Sequence, residues 1–252
     1  MFLFIIEYKV IGLRGLKTGF RKPGSVFRST FADLQASPLH IALVGNPNSG
    51  KSSLFNCLTG MNQQVGNFPG VTVDKTIGRF KAGELNIDAI DLPGTYSLYP
   101  KRMDEWVSYR VVIGDDESFR PNLVVAVVDA SNLKRNLLLA TQLIDLSVPV
   151  VIALTMMDLA RKKGIQIDIP ALERELGVPV VAVNPRKNKG IIELKKMIQS
   201  WHKQPIKTVS RSFIDSETLA PAAIRETQAL FPEAGDYNAI HYLINHESLS
   251  IP

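Results

Sequence analysis

Gly45, Gly50, Lys51 and Ser52 stand in the register Gly-x-x-x-x-Gly-Lys-Ser within the stretch GNPNSGKSSLFN. Residues of these types at this spacing hold phosphate. The main-chain N–H groups of a glycine-rich turn, together with the positive end of the helix that follows, form a cradle for anionic oxygens. The loop is made by Gly45, Asn46, Pro47, Asn48, Ser49, Gly50, Lys51, Ser52 and Ser53. Lys51 would reach the β- and γ-phosphates, and the Ser52 hydroxyl would ligate Mg²⁺. Downstream, DLPG supplies Asp91 and Gly94. An Asp there holds Mg²⁺ through a water, and a glycine lets its N–H approach the γ-phosphate. Asp-x-x-Gly alone marks a turn; after a phosphate loop and on its own strand it is informative. Between the two, VGNFPGVTVD (65–74) offers Thr72 as a hydroxyl that could close on Mg²⁺, which makes this a switch segment and 91–100 a second one.

The segment TMMD (155–158) adds a base-reading carboxylate. Asp158 can accept both the N1–H and the exocyclic amino group of guanine, a pair that adenine does not present. The wrong base would leave that carboxylate unpaired. The structural alternative for Asp158 is a helix cap.

The elements that must position these residues are legible around them. The run LHIALVG before the loop is apolar and β-branched, as a buried strand is. KSSLFNCLTG after it places Leu54, Phe55 and Leu58 at helical spacing and ends on Gly60. Further strands are expected at LNIDAID, NLVVAVVD, VPVVIAL and VPVVAV, and helices at 51–59, within 104–113, and at 133–146, 171–176 and 191–201. Strands alternating with helices imply crossovers, hence an α/β fold with a mostly parallel central sheet covered on both faces. Ligands then sit beyond the carboxyl ends of the strands, where every motif above falls. We divide the chain into an unassigned extension at 1–37, a nucleotide-binding domain at 38–203 and, at 204–252, the start of an incomplete helical domain with little room for a core of its own.

Composition bounds the alternatives. Hydrophobic residues make up 45% and charged residues 21%, which fits a globular fold. The single cysteine, Cys57, excludes an internal disulfide, fits a reducing, cytoplasmic compartment and reads as a small core residue. No apolar run approaches the roughly 20 residues that span a bilayer. The net charge is +5, but Lys9, Arg14, Lys17, Arg21, Lys22 and Arg28 against Glu7 and Asp33 place +4 of it in residues 1–38. The rest is nearly neutral, without the basic stripe a nucleic acid would require. MFLFII at the start has no preceding positive charge and no evident cleavage site, so it is a poor signal peptide.

These pieces in this order resemble the small GTPases. The string from HIALVGNPNSGKSSLFNCLTG through GNFPGVTVD and DLPGTYSL to VPVVIAL closely resembles the N-terminal GTPase domain of the bacterial ferrous iron transport protein B family. The resemblance covers about residues 38–203 and implies a P-loop GTPase fold, GTP hydrolysis dependent on Mg²⁺ and stimulated by K⁺, and coupling to iron uptake. The partners it implies are a permease segment not in this chain and a small cytosolic regulator, at the cytoplasmic face of the bacterial inner membrane. The tail at 204–252 looks like the beginning of the family's helical spacer, so the chain reads as a fragment or a truncated relative. The family's K⁺ ligands map onto the Asn48 side chain and the carbonyls of Gly66 and Phe68. The ion would do the work of an arginine finger, since Thr95 stands where many GTPases carry a water-orienting Gln. For Asn48 the structural alternative is a turn-stabilising amide.

Two departures concern the base. Thr155 replaces the usual Asn at the head of the base-reading motif, while Met156 is normal for the family. In the last base-contacting loop, AVNPRKNKG, Asn184 is followed by Pro185, which aligns with the residue whose N–H meets guanine O6 and has no N–H to give. From this we expect weak GDP binding and blunted discrimination between GTP and ATP. Two further readings stay open: a soluble K⁺-dependent GTPase of ribosome or tRNA maturation, and a nucleotide-sensing module with little hydrolysis. The four histidines, 40, 202, 241 and 246, are scattered, so iron enters through the resemblance alone.

Overall fold

The computed structural model describes residues 38–61, 63–68, 72–115, 119–204, 212–232 and 234–245. The extension at 1–37 and residues 69–71 of the first switch stretch lie outside that set.

β-branched runs with both faces covered make the central strands. β1 (Leu39–Gly45), β5 (Leu123–Asp129) and β6 (Val150–Thr155) are almost wholly buried, β4 (Leu85–Asp91) is buried at Ile87, Ala89 and Ile90, and the short β7 (Val180–Ala182) follows them. Side chains alternate between the two faces along each strand. Ala42, Val44, Ala126, Val128 and Ile152 face one cluster, whereas Ile41, Leu43, Val125, Val127 and Val151 face the other. The first cluster is closed by α2 (Met103–Ile113) and α3 (Leu133–Asp145), the second by α1 (Lys51–Thr59) and α6 (Ile191–Lys203).

The sheet has seven strands in the order β2-β3-β4-β1-β5-β6-β7. From β4 to β7 all pairings are parallel; β2 (Gln63–Asn67) and β3 (Asp74–Ala82) pair antiparallel at one edge. These two strands were not expected. QQVGN is exposed along nearly its whole length, so no apolar alternation marks it, and part of the stretch read as a flexible switch is thus a paired strand. A short helix α4 (Met157–Lys162) after β6 was also unanticipated, and α5 (Ile169–Leu176) begins two residues earlier than its apolar pattern.

Three tail helices, α7 (Ser216–Leu219), α8 (Pro221–Leu230) and α9 (Asp236–Asn245), complete the described chain. Ala223, Phe231, Tyr237, Tyr242 and Leu243 belong to the same cluster as α2 and α3. The tail therefore buries its apolar face against the sheet-covering helices. No helix among the described residues is long and apolar enough to cross a membrane.

Candidate functional site

Parallel strands bring the carboxyl ends of β1, β4, β5 and β6 to one edge of the sheet, and the motif residues gather there. β1 ends at Gly45, and its chain turns through residues 46–50 into α1. Gly50 and Asn48 both adopt left-handed backbone conformations, at φ 88° and 65°. A tight turn of this kind aims successive N–H groups into one concavity. Lys51 opens α1 and is buried; its ammonium pairs with Asp91 Oδ1 at the end of β4. The Ser52 hydroxyl donates to Asp91 Oδ2 at 2.9 Å. One carboxylate thus gathers the two side chains expected to handle phosphate and metal. The donor set is hard oxygen, hydroxyl beside carboxylate, which suits Mg²⁺.

Gly94 follows on the loop after β4. A Cβ there would lie 3.1–3.2 Å from the backbone N, the Cα and the Cγ of Pro47, so the second switch presses directly on the phosphate loop. The Thr95 N–H donates to Gly45 O at 3.2 Å, and its hydroxyl donates to Ser97 O at 2.8 Å. Thr95 is buried, with its side chain committed to this turn.

The base side of the site is tied to the phosphate side by Thr155. Its hydroxyl, fully buried, donates to Ser49 O at 2.6 Å, with Val128 O at 3.2 Å. Met156 follows in a left-handed conformation and caps α4, with its Cε 3.5 Å from where a Cβ on Gly50 would stand. Asp158 is exposed. Its Oδ1 accepts the Leu159 N–H at 3.0 Å, and its Oδ2 lies 3.4 Å from Asn184 Nδ2. Desolvation pulls the Asp158 carboxyl up, but the N–H groups of Leu159 and of Asp158 itself, the Lys187 ammonium and the Asn184 amide outweigh it. The group is held below the ordinary carboxylate range. Asn184 caps a 3₁₀ turn, Pro185–Lys187, through Oδ1 and the Lys187 N–H at 3.2 Å.

The first-switch residues stand apart from this gathering. Thr72 is exposed just ahead of β3 and is no part of the cluster on Asp91. Gly66 lies on the exposed edge strand β2, paired with Lys75. Phe68 is buried in the core, its N–H donating to Val73 O at 3.0 Å, with the Lys75 ammonium 5.5 Å from its ring. Asn48 is exposed, and among the described residues no hydrogen bond joins it to Gly66 or Phe68. Ser53 is also exposed, on α1.

One residue with an evident positional role went unnoticed in the sequence. Gln142, on the buried face of α3, accepts the Leu98 N–H at 2.8 Å and so fastens the second switch to that helix. A glutamine between Leu139 and Leu143 on an apolar face was the signal. Asn46 is buried with neither end of its carboxamide hydrogen-bonded, beneath the loop it belongs to.

Fold and loop together define a P-loop GTPase fold. Residues 39–198, well over half the chain, match the family model described as ferrous iron transport protein B. The chain belongs to that family. It is 44% identical over 167 residues to the Fe(2+) transporter FeoB of Escherichia coli K12, a match covering 65% of this chain and 21% of that protein, so the chain spans about a fifth of the length of the curated relatives it matches. Among solved structures, the cytosolic domain of L. pneumophila FeoB is 38% identical, with a TM-score of 0.68 covering 81% of this chain and 78% of the other. The cytosolic domain of T. maritima FeoB in its GMPPNP form is 32% identical, with a TM-score of 0.73 covering 85% and 87%.

Proposed function

We propose that this chain binds GTP and hydrolyses it, as the nucleotide-binding part (38–203) of a ferrous iron transporter, with 204–252 the start of a helical spacer and the permease supplied by polypeptide outside this chain. The observation that carries the reading is the convergence of Lys51 and Ser52 on the Asp91 carboxylate at the mouth of the phosphate loop. That arrangement keeps an ammonium, a hydroxyl and a carboxylate where the β- and γ-phosphates of a cradled nucleotide end. The relatives support the nucleotide: one T. maritima structure is a GMPPNP form, another a GDP form.

In the reaction water attacks the γ-phosphorus, the bond to the β–γ bridging oxygen breaks, and GDP leaves with inorganic phosphate. Lys51 neutralises charge on the terminal phosphates, and the loop amides around Gly50 orient them. Gly94 leaves room for its N–H to meet the γ-phosphate. Thr95, whose hydroxyl is bound to Ser97 O, does not orient the water. Mg²⁺ on Ser52 and Asp91, and K⁺ on Asn48, would when bound neutralise the charge developing between the β- and γ-phosphates. Thr72 for Mg²⁺, and the Gly66 and Phe68 carbonyls for K⁺, would join them once the first switch, which here stands apart, closes on the loop. Asp158 reads the base, with Thr155, Met156, Asn184 and Pro185 forming its surround. A small cytosolic regulator acting on the transporter remains part of the proposal, as does a site of action on the cytoplasmic face of the inner membrane.

GTP turnover of the purified chain, measured with Mg²⁺ in KCl and in NaCl, tests this. KCl should raise the rate by roughly tenfold or more, Asn48→Ala should erase the difference, and Lys51→Ala should abolish turnover. Equal rates in the two salts would remove K⁺ from the account. Unchanged affinity and turnover in Lys51→Ala would remove the whole reading.

A further inference from the structure

We infer that the side-chain carboxamide of Asn184 reads guanine O6 in this protein, in place of the main-chain donor that Pro185 lacks. The inference rests on the proposed role of Asp158 and deepens it.

Guanine presents O6, N1–H and the 2-amino group in a row along one edge. A carboxylate that takes the two donors leaves O6 beside it, wanting a hydrogen. The group beside Asp158 is Asn184, its Nδ2 3.4 Å from Asp158 Oδ2. The orientation of that amide is fixed from the other end, because Oδ1 accepts the Lys187 N–H at 3.2 Å. Nδ2 is therefore the end turned toward Asp158, and it carries two hydrogens. One serves the carboxylate and the other is free for O6.

Its mounting is firm. The Asn184 N–H donates to Lys189 O at 2.8 Å, and its carbonyl accepts from Lys187 and Lys189 at 3.1 Å each. The loop's other amides are largely committed: Lys187 and Lys189 to Asn184, and Asn188 to Pro185 O at 3.2 Å. Pro185 has no N–H at all. Adenine would set its 6-amino group against the Asn184 amide, donor against donor, so the same residue rejects the wrong base. Discrimination is then kept rather than blunted, contrary to what Pro185 alone implies.

Calorimetric titration of the 252-residue chain with GDP, 6-thio-GDP and IDP tests the assignment. The sulfur analogue weakens the acceptor at position 6 and leaves both donors; IDP keeps O6 and loses the 2-amino group. The wild type should prefer GDP to 6-thio-GDP by roughly tenfold, and Asn184→Ala should bind GDP about tenfold more weakly with no preference left. Pro185→Ala added to Asn184→Ala restores a main-chain N–H, so GDP affinity and the preference should return, which a mere folding defect would not allow. An unaltered GDP to 6-thio-GDP ratio in Asn184→Ala, or no preference in the wild type, overturns the inference and hands O6 to another donor such as the Arg186 N–H. Equal binding of GDP and IDP by the wild type overturns the Asp158 reading and this one with it. IDP binding more weakly while the ratio stays unmoved sinks the Asn184 assignment alone.

Discussion

The hydroxyl of Thr155 joins two halves of the site that lie 106 residues apart in sequence. At the head of the base-reading segment an asparagine was the expected residue, and threonine there is a change of side chain with its own consequence. Its one proton lies between two buried carbonyls, Ser49 O and Val128 O. The phosphate loop is thereby held against the ends of β5 and β6. Thr155→Val keeps the shape and removes the donor, leaving Ser49 O short of a partner away from water. The expected cost is about 1–3 kcal/mol of stability, together with several-fold weaker GDP binding as the loop loosens. Urea unfolding and a GDP titration on the same preparation check both. A variant as stable as the parent would show that Ser49 O is satisfied by other means.

Between elements, a close contact lies where α1 crosses β3. Gly78 has no side chain, and a Cβ built there would stand 2.4 Å from Thr59 Cγ2 and 2.9 Å from Phe55 Cζ. Phe55 is almost fully buried, so it cannot swing away. Gly78→Ala should destabilise by about 1–3 kcal/mol through overpacking, and Thr59→Ser, which deletes the nearest methyl, should recover part of the loss. Thermal melts of both single variants and the double test this; strictly additive effects would refute the contact. The same strand shows why part of the fold escaped reading. β1, β5 and β6 are buried on both sides and appear as nearly unbroken apolar runs, and β4 alternates apolar with polar residues, but DKTIGRFKA mixes lysine, arginine and glycine with a partly exposed face. β2 exists because β3 offers it a ladder, and its own side chains carry no periodic signal. The helices around the sheet were legible from their apolar spacing, except for the six-residue α4, too short to show a period. In the site, contiguous motifs named Lys51, Ser52, Asp91 and Asp158 directly, whereas the ties of Thr155 to Ser49 and of Gln142 to Leu98 depend on the fold having already formed.

For the molecule as a whole, the seam between tail and sheet-covering helices decides how it responds to acid. His241 on α9 is buried among Tyr99, Tyr109 and Tyr237, with ring centroids 5.2, 5.4 and 4.5 Å away. Asn245 sits over both partners, its amide donating to the Tyr109 hydroxyl at 3.0 Å and lying 3.5 Å from His241 Nδ1. Among the described residues the other ring nitrogen has no hydrogen-bond partner. Burial therefore disfavours the imidazolium and pulls the His241 pKa from 6.5 down to about 4. The unfolded chain binds a proton at this residue below pH 6.5, and the folded one does so only near pH 4. Stability from this group is thus complete above pH 6.5 and drains away as pH falls toward 4, by roughly 3 kcal/mol in all. The loss should appear first where the tail meets Tyr99, near the end of the second switch, because protonation costs least if α9 alone comes away. Hydrogen exchange of α9 amides at pH 7 and pH 5 should show protection there falling well before that of β1 and β5. His241→Phe fills the same space without a titratable nitrogen, and should flatten the difference between the two pH values. If α9 in that variant loses protection between pH 7 and 5 as steeply as in the parent, another group governs the seam.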